Sequence, residues 1–167
     1  VHRAFQRGDF KKAVKEYKKL VEKHPQRADY HLKLGQAYLK KGELDSALAE
    51  FIRTTHLDPR NESAFQYLGD YFAGRKDWPK AAKAYESLAA IDPERAQYRL
   101  QLARVCETTM QLDRAQEQYY QVVRINPKIE DAYPPLIRLL QRKIMASMGD
   151  PAPVMTGNRS PNWNSGN

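Results

Sequence analysis

The chain has a single cysteine, Cys106, and four histidines, and these shortages remove several kinds of chemistry at once. No disulfide can close within it, and no thiolate-rich metal site can be built. His2, His24, His31 and His56 stand at no metal-ligand spacing from Cys106, from an acid or from one another. Glycine-rich phosphate loops, nucleophile elbows and carboxylate pairs in an apolar setting are also missing. Catalysis, a resident metal and a cofactor are therefore not expected. Apolar runs are short as well: none approaches the ~18 residues that a bilayer-spanning helix requires.

What the chain does have is repetition. In residues 28–61, ADYHLKLGQAYLKKGELDSALAEFIRTTHLDPRN, the side chains of Tyr30, Leu34, Ala37 and Tyr38 share one helical face. Gly42 can take positive φ and end that helix. Leu44, Ala47, Leu48, Phe51 and Thr54 make a second apolar series at helical spacing. Pro59 stops it, lacking an N–H and disfavouring helix at Asp58. The unit is an αα-hairpin of 34 residues.

The hairpin recurs in register. Ala13, Ala47, Ala81 and Ala115 are 34 apart, as are Tyr17, Phe51, Tyr85 and Tyr119, and Pro25, Pro59, Pro93 and Pro127. On the first helices Leu34, Leu68, Leu102 and Leu136 keep the same step, as do Gly35, Gly69 and Ala103. Self-similarity at this period marks a helical solenoid. The small residues let antiparallel helices approach while Tyr38 and Phe51 fill the flanks. Cys106 falls in phase with Tyr38 and Phe72, which predicts a packed core thiol rather than a reactive one.

Carried by these residues, the chain resembles the tetratricopeptide repeat family over residues 1–148. The resemblance implies an all-α, right-handed superhelical solenoid of stacked antiparallel helix pairs. It also implies a non-catalytic scaffold or adaptor. We expect a partial repeat over 1–27, full repeats over 28–61, 62–95 and 96–129, and a capping helix within 130–148. VHRAFQRG reads as the last two turns of a first helix. A solenoid unit does not bury its apolar face alone, so something is expected before Val1: more helix, another repeat or a partner. A membrane anchor or export signal would lie there too.

Within the repeats, Lys76 and Met110 stand where Gly42 stands. A left-handed residue other than glycine costs about 1–2 kcal/mol, so the local geometry is expected to differ slightly at those two turns. Asp77 suits an N-cap, with Pro79 tolerated in the first turn. Trp78 is expected to pack between hairpins. Tyr133-Pro134-Pro135 restarts the chain, and a helix is expected from Pro134 to Ser147. Its Leu136, Leu139, Leu140 and Ile144 should cover the apolar edge of the fourth hairpin, leaving Arg138, Arg142 and Lys143 to water. Residues 149–167 are rich in Pro, Gly, Asn and Ser and read as an extended tail. If the tail docks on a neighbour, Val154, Met155 and Trp163 are its anchors.

In the family, the concave wall built from the first helices commonly takes an extended peptide or a helix from another protein. Helical phase assigns to that wall Asp29, Leu32, Gln36, Leu39 and Lys40 in one unit. The next supplies Ser63, Gln66, Asp70, Ala73 and Gly74. The fourth supplies Gln97, Leu100, Arg104, Glu107 and Thr108. Ala73 and Gly74 should leave the middle shallow, with Leu32, Leu39 and Leu100 as apolar flanks. A well-known variant of the family clamps a C-terminal carboxylate with Lys, Asn and Arg. Here Leu32, Gln36, Gln66 and Asp70 occupy that neighbourhood and only Arg104 fits, so that mechanism is not expected.

Charge supplies a second functional class. Residues 1–27 hold nine Lys/Arg against three Asp/Glu, which leaves only +2 of the net +8 for the rest. Lys11, Lys12, Lys15, Lys18 and Lys19 ring much of one helix. Lysines commonly coat a solvated face. The functional alternative is a tether to an anionic membrane surface or to nucleic acid. No aromatic platform accompanies the lysines, so nucleic acid is not expected. The favoured partner is protein, with the chain a subunit of a larger assembly that touches a membrane only indirectly or through residues before Val1.

Overall fold

The computed structural model describes residues 8–148. Within them run eight α-helices: α1 (Phe10–Lys23), α2 (Ala28–Lys41), α3 (Leu44–Leu57), α4 (Glu62–Gly74), α5 (Trp78–Ile91), α6 (Ala96–Thr108), α7 (Leu112–Ile125) and α8 (Tyr133–Ser147). A short 3₁₀ turn, Glu130–Ala132, precedes α8. The pairs α2–α3, α4–α5 and α6–α7 are the three complete hairpins, and each packs on the next. The expected first helix over 1–7 and the tail anchors Val154, Met155 and Trp163 lie outside the described residues.

Helix starts follow local chemistry. The Asp9 carboxylate accepts the Lys12 amide at 3.0 Å, Asn61 accepts that of Ala64 at 3.2 Å, and Asp77 accepts that of Lys80 at 3.4 Å. Each satisfies an amide that the first turn leaves unpaired. The second helices end alike. The amides of His24, Asp58, Asp92 and Asn126 donate to Leu20, Thr54, Leu88 and Val122. Three residues later the amides of Arg27, Asn61, Arg95 and Ile129 donate to the carbonyls of His24, Asp58, Asp92 and Asn126. The repeating proline sits inside each of these turns, where no amide is required of it.

The turn inside each hairpin overturns the expectation for Lys76 and Met110. Gly42 has φ +87°, Lys76 +59° and Met110 +60°, so all three turns are left-handed. The cause is a shared hydrogen-bond frame. The amides of Glu43, Asp77 and Gln111 reach back to the carbonyls of Tyr38, Phe72 and Cys106 at 2.9 Å each. That six-to-one bond closes the helix end and requires a left-handed residue just before its donor. The frame holds the lysine and the methionine in a conformation that their Cβ atoms oppose.

Between the helices of a hairpin, small residues meet rings. A Cβ on Gly35 would sit 3.2 Å from Phe51 Cζ, and one on Gly69 only 2.5 Å from Tyr85 Cε1. Ala13, Ala47, Ala81 and Ala115 are fully buried in the positions that the repeat assigns them. The buried apolar side chains form two clusters. One joins Ala13, Tyr17, Leu34, Phe51 and Leu68; the other joins Tyr85, Leu88, Leu102, Cys106, Tyr119 and Leu136. Phe65 and Phe72 of α4 pack against both. Trp78 packs against the second cluster, between hairpins, as its position suggested.

The last helix departs from expectation on one side. Leu136 and Leu139 are buried, but Leu140 and Ile144 are exposed rather than covering the fourth hairpin. In a straight helix Leu140 and Ile144 lie about 40° and 80° to one side of Leu136 and Leu139 about 60° to the other, so a contact centred between Leu136 and Leu139 leaves the two later residues outside it.

Candidate functional site

The wall made by α2, α4 and α6 is uneven in charge and in access. On α2, Asp29 is gripped by Arg27 through Nε at 2.9 Å and Nη2 at 3.0 Å. That contact holds its carboxyl below the usual carboxylate range. Leu32 is half-buried, Gln36 accepts from Lys33 Nζ at 3.2 Å, and Leu39 and Lys40 are exposed. On α4, Ser63 is exposed and the Gln66 amide donates to both Asp70 oxygens at 3.0 Å. Asp70 also accepts the Tyr85 hydroxyl at 2.8 Å. Burial and that adjacent carboxylate push the Tyr85 phenol well above its ordinary value. Ala73 is half-buried, and beside Gly74 there is open space within 4 Å of where a Cβ would stand.

On α6 the wall is already tied up. Leu100, assigned to the surface by phase, is only 2% exposed and belongs to the core cluster that includes Ala132 and Leu136. It is no flank for a ligand. The turn before α8 brings apolar residues to this end, so a leucine at the margin of the wall is covered. Arg104 donates to Asp131 at 3.0 Å. Glu107 accepts the Tyr119 hydroxyl at 2.8 Å and is also paired with Arg138. Burial, then Glu107, raise the Tyr119 phenol as Asp70 helps raise that of Tyr85. Thr108 returns its hydroxyl to the Arg104 carbonyl, and Gln97 is exposed.

Several features escaped sequence reasoning. Tyr98 and Arg95 both donate to Glu62, at 2.7 and 2.8 Å, tying the start of α6 to the start of α4. On the second-helix side, Leu48, Ile52, Leu68, Phe72 and Ala84 line a hollow of about 420 Å³, with Lys80 and Lys83 on it. The available signal was Ile52, an aliphatic residue in phase with Lys18, Glu86 and Tyr120. His31 is buried with Nδ1 2.7 Å from Glu50 and Nε2 3.0 Å from the Pro25 carbonyl, a structural bracket between two acceptors.

Lys11, Lys12, Lys15, Lys18 and Lys19 are all exposed on α1, with Lys18 Nζ 5.8 Å from the Tyr38 ring. Among the described residues no three His, Cys, Asp or Glu side chains gather to hold a metal. No described helix is long and apolar enough to cross a membrane.

Comparison with known proteins agrees with this architecture. Family models described as tetratricopeptide repeat match residues 28–61 and 67–128, and one described as TPR repeat matches residues 2–42. The chain belongs to the tetratricopeptide repeat family, whose members are generally protein-interaction scaffolds. A tetratricopeptide repeat domain-containing protein of Arabidopsis thaliana, PYG7, chloroplastic, is 33% identical over 60 residues. That match spans 36% of this chain and 20% of the relative's length. Among solved structures, MamA superposes with a TM-score of 0.70 at 24% identity, covering 87% of this chain and 85% of that one. YrrB, described as a TPR protein with an unusual peptide-binding site, gives 0.71 at 18% identity over 86% and 74%. The first TPR of Spaghetti (RPAP3), bound to the HSP90 peptide SRMEEVD, gives 0.59 at 18% over 71% and 94%. At these identities the likeness is one of fold.

Proposed function

We propose that the chain is a non-catalytic scaffold that binds a segment of a partner protein along the α2–α4 half of its first-helix wall. One observation carries this reading. Of the apolar wall residues, Leu39 is exposed and Leu32 and Ala73 are half-buried, and on α4 a Cβ at Gly74 would meet nothing within 4 Å. The α6 half differs, since Arg104 and Glu107 are held by Asp131, Tyr119 and Arg138. A partner there would have to break ion pairs before making contacts. An apolar side chain laid between Leu32 and Leu39 displaces only water, which is favourable at roughly 25 cal/mol per Å² buried. Membership of a larger assembly fits this mode, because a segment bound along the first-helix wall leaves the second-helix face available to another partner.

The test uses a phage-displayed peptide library panned against the purified chain. Peptides whose binding falls at least ten-fold in Leu32→Asp with Leu39→Asp support the assignment. Binders indifferent to that pair would refute it. The exposed lysines of α1 favour the second reading, an anionic tether. It predicts binding to phosphatidylserine vesicles that collapses between low and moderate salt and disappears when Lys11, Lys12, Lys15, Lys18 and Lys19 become Gln.

A further inference from the structure

Where one second helix follows another, over the first helix beneath them, the same groove recurs, and its residues keep the repeat step. Lys18, Ile52 and Glu86 are equivalent, as are Tyr38, Phe72 and Cys106, and Ser46, Lys80 and Arg114. In the grooves on either side, the residue equivalent to Ile52 is charged and already engaged. Between α1 and α3, Lys18 Nζ lies 5.8 Å from the centre of the Tyr38 ring. Between α5 and α7, Glu86 is paired with Arg114. The middle groove keeps the cation of that pair as Lys80, but its acid is replaced by Ile52. Lys80 turns instead to Asp77 at 2.8 Å, with its Nζ 5.1 Å from the Phe72 ring.

The middle groove is left apolar and open. Ile52 lines the hollow of about 420 Å³ with Leu48, Leu68 and Phe72, and its charged lining residues are Lys80 and Lys83, with no acid among them. Ile52 is 36% exposed, and Leu44, 46% exposed, stands on the same stripe of α3 two turns before it. Lys83 is exposed and has no ion pair among the described residues. It also borders the hollow beyond α5, where the acid Glu86 is already held by Arg114. We propose that the groove between α3 and α5 binds an extended segment of another protein that carries a bulky apolar side chain beside an acidic residue. The apolar side chain enters over Leu68 and Phe72, and the carboxylate pairs with Lys83.

Shape and charge select this occupant. Three helices supply a floor and two walls, but the outer side is open, since Ile52 and Lys83 are both exposed. Small-molecule sites enclose most of their ligand, whereas an open hollow accepts one side chain from a strand passing over it. From Leu44 to Ile52 the stripe rises about 12 Å at ~1.5 Å per residue, a span that about four residues of extended chain cover at ~3.3 Å each. The anchor supplies the affinity by burying apolar surface. The carboxylate sets direction and rejects cationic segments, because an exposed ion pair adds little strength but does discriminate.

This proposal does not depend on the α2–α4 wall, and the test separates the two. The 167-residue chain, labelled with ¹⁵N, is titrated with three capped hexapeptides: a leucine flanked by Glu, the same leucine flanked by Lys, and the Glu peptide with Ser in place of Leu. The Glu-flanked leucine peptide is expected to shift the amide signals of Ile52, Phe72 and Lys83 and to bind at least five-fold tighter than the other two. Ile52→Glu removes that binding, and the fold should accept the change because Glu86 occupies the equivalent position. Lys83→Glu turns the preference toward the Lys-flanked peptide, and Leu39→Asp leaves all three titrations unchanged. The dispersion of the same spectra checks that each variant stays folded, and Lys83→Glu alone suffices if Ile52→Glu does not. No shift at these residues with millimolar peptide overturns the proposal, as does equal binding of the Ser peptide or binding indifferent to the substitutions. Self-association in sedimentation velocity that Ile52→Glu abolishes assigns the groove to a second copy. Laurate shifting these amides where no peptide does assigns it to a free amphiphile. Either result also overturns it.

Discussion

Replacing Lys76 or Met110 by glycine should stabilise the protein. Both residues hold φ near +60°, where an L side chain costs about 1–2 kcal/mol. Glycine removes that cost but loses more freedom on folding, about 0.5–1 kcal/mol. The net gain is on the order of 0.5–1 kcal/mol per site. Little is lost in exchange. Both side chains are exposed, and the bonds that fix the turn, Lys76 and Met110 amides to Ala73 and Glu107 carbonyls at 3.0 Å, are backbone only. The two turns share no partner in these bonds, so the double variant should gain about the sum. Urea unfolding followed by circular dichroism reads this as a higher midpoint at unchanged slope. Gly42→Ala is the mirror control and should lose on the order of 0.5–1 kcal/mol, the same two contributions with their signs exchanged. If Gly42→Ala destabilises while Lys76→Gly and Met110→Gly gain nothing, the account of strain imposed by the six-to-one bond is wrong.

Three further outcomes follow from packing and burial. Gly69→Ala should cost about 1–3 kcal/mol through overpacking, because the new Cβ meets the Tyr85 ring at 2.5 Å while Asp70 holds that ring's hydroxyl. Gly35→Ala, at 3.2 Å from Phe51, should be milder, and equal urea midpoints for the two would contradict this. The raised phenols of Tyr85 and Tyr119 stabilise the fold fully below their unfolded value of about 10, and that contribution is lost as pH climbs above it. Absorbance of phenolate near 295 nm should therefore lag behind the exposed tyrosines and appear with unfolding; early, complete ionisation at retained helicity would refute it. Cys106 is fully buried and its thiol pushed up by that burial, so Ellman's reagent should label it only as the chain unfolds.

Much of the fold was readable because each repeat solves the same packing problem with the same residue sizes. The pairing of Gly69 with Tyr85, the burial of Ala81 and the core position of Cys106 all follow from period and phase alone. The capping of α5 by Asp77 was equally local, decided by residues three apart. Other features depended on groups that sequence does not bring together. Leu100 has the phase of a surface residue, yet it shares a core cluster with Ala132 and Leu136 more than thirty positions on. Lys76 and Met110 read as misfits for a left-handed turn, because residue preference was weighed without the hydrogen bond that overrides it. On α8, pattern gave the helix but assigned Leu140 and Ile144 to the wrong side. A cap packed on one neighbour has only one buried stripe, and Leu136 with Leu139 already fills it.

The division of the apolar interior into two clusters, bridged at α4 by Phe65 and Phe72, has a mechanical consequence. A rod whose inside is continuous resists loading as one piece, but this one has a built-in seam. Drawn along its axis in an optical trap, it should yield in two rips rather than one, each releasing roughly half its length. Trimming Phe72 to alanine, which takes packing from both clusters at once, should lower the force of both rips.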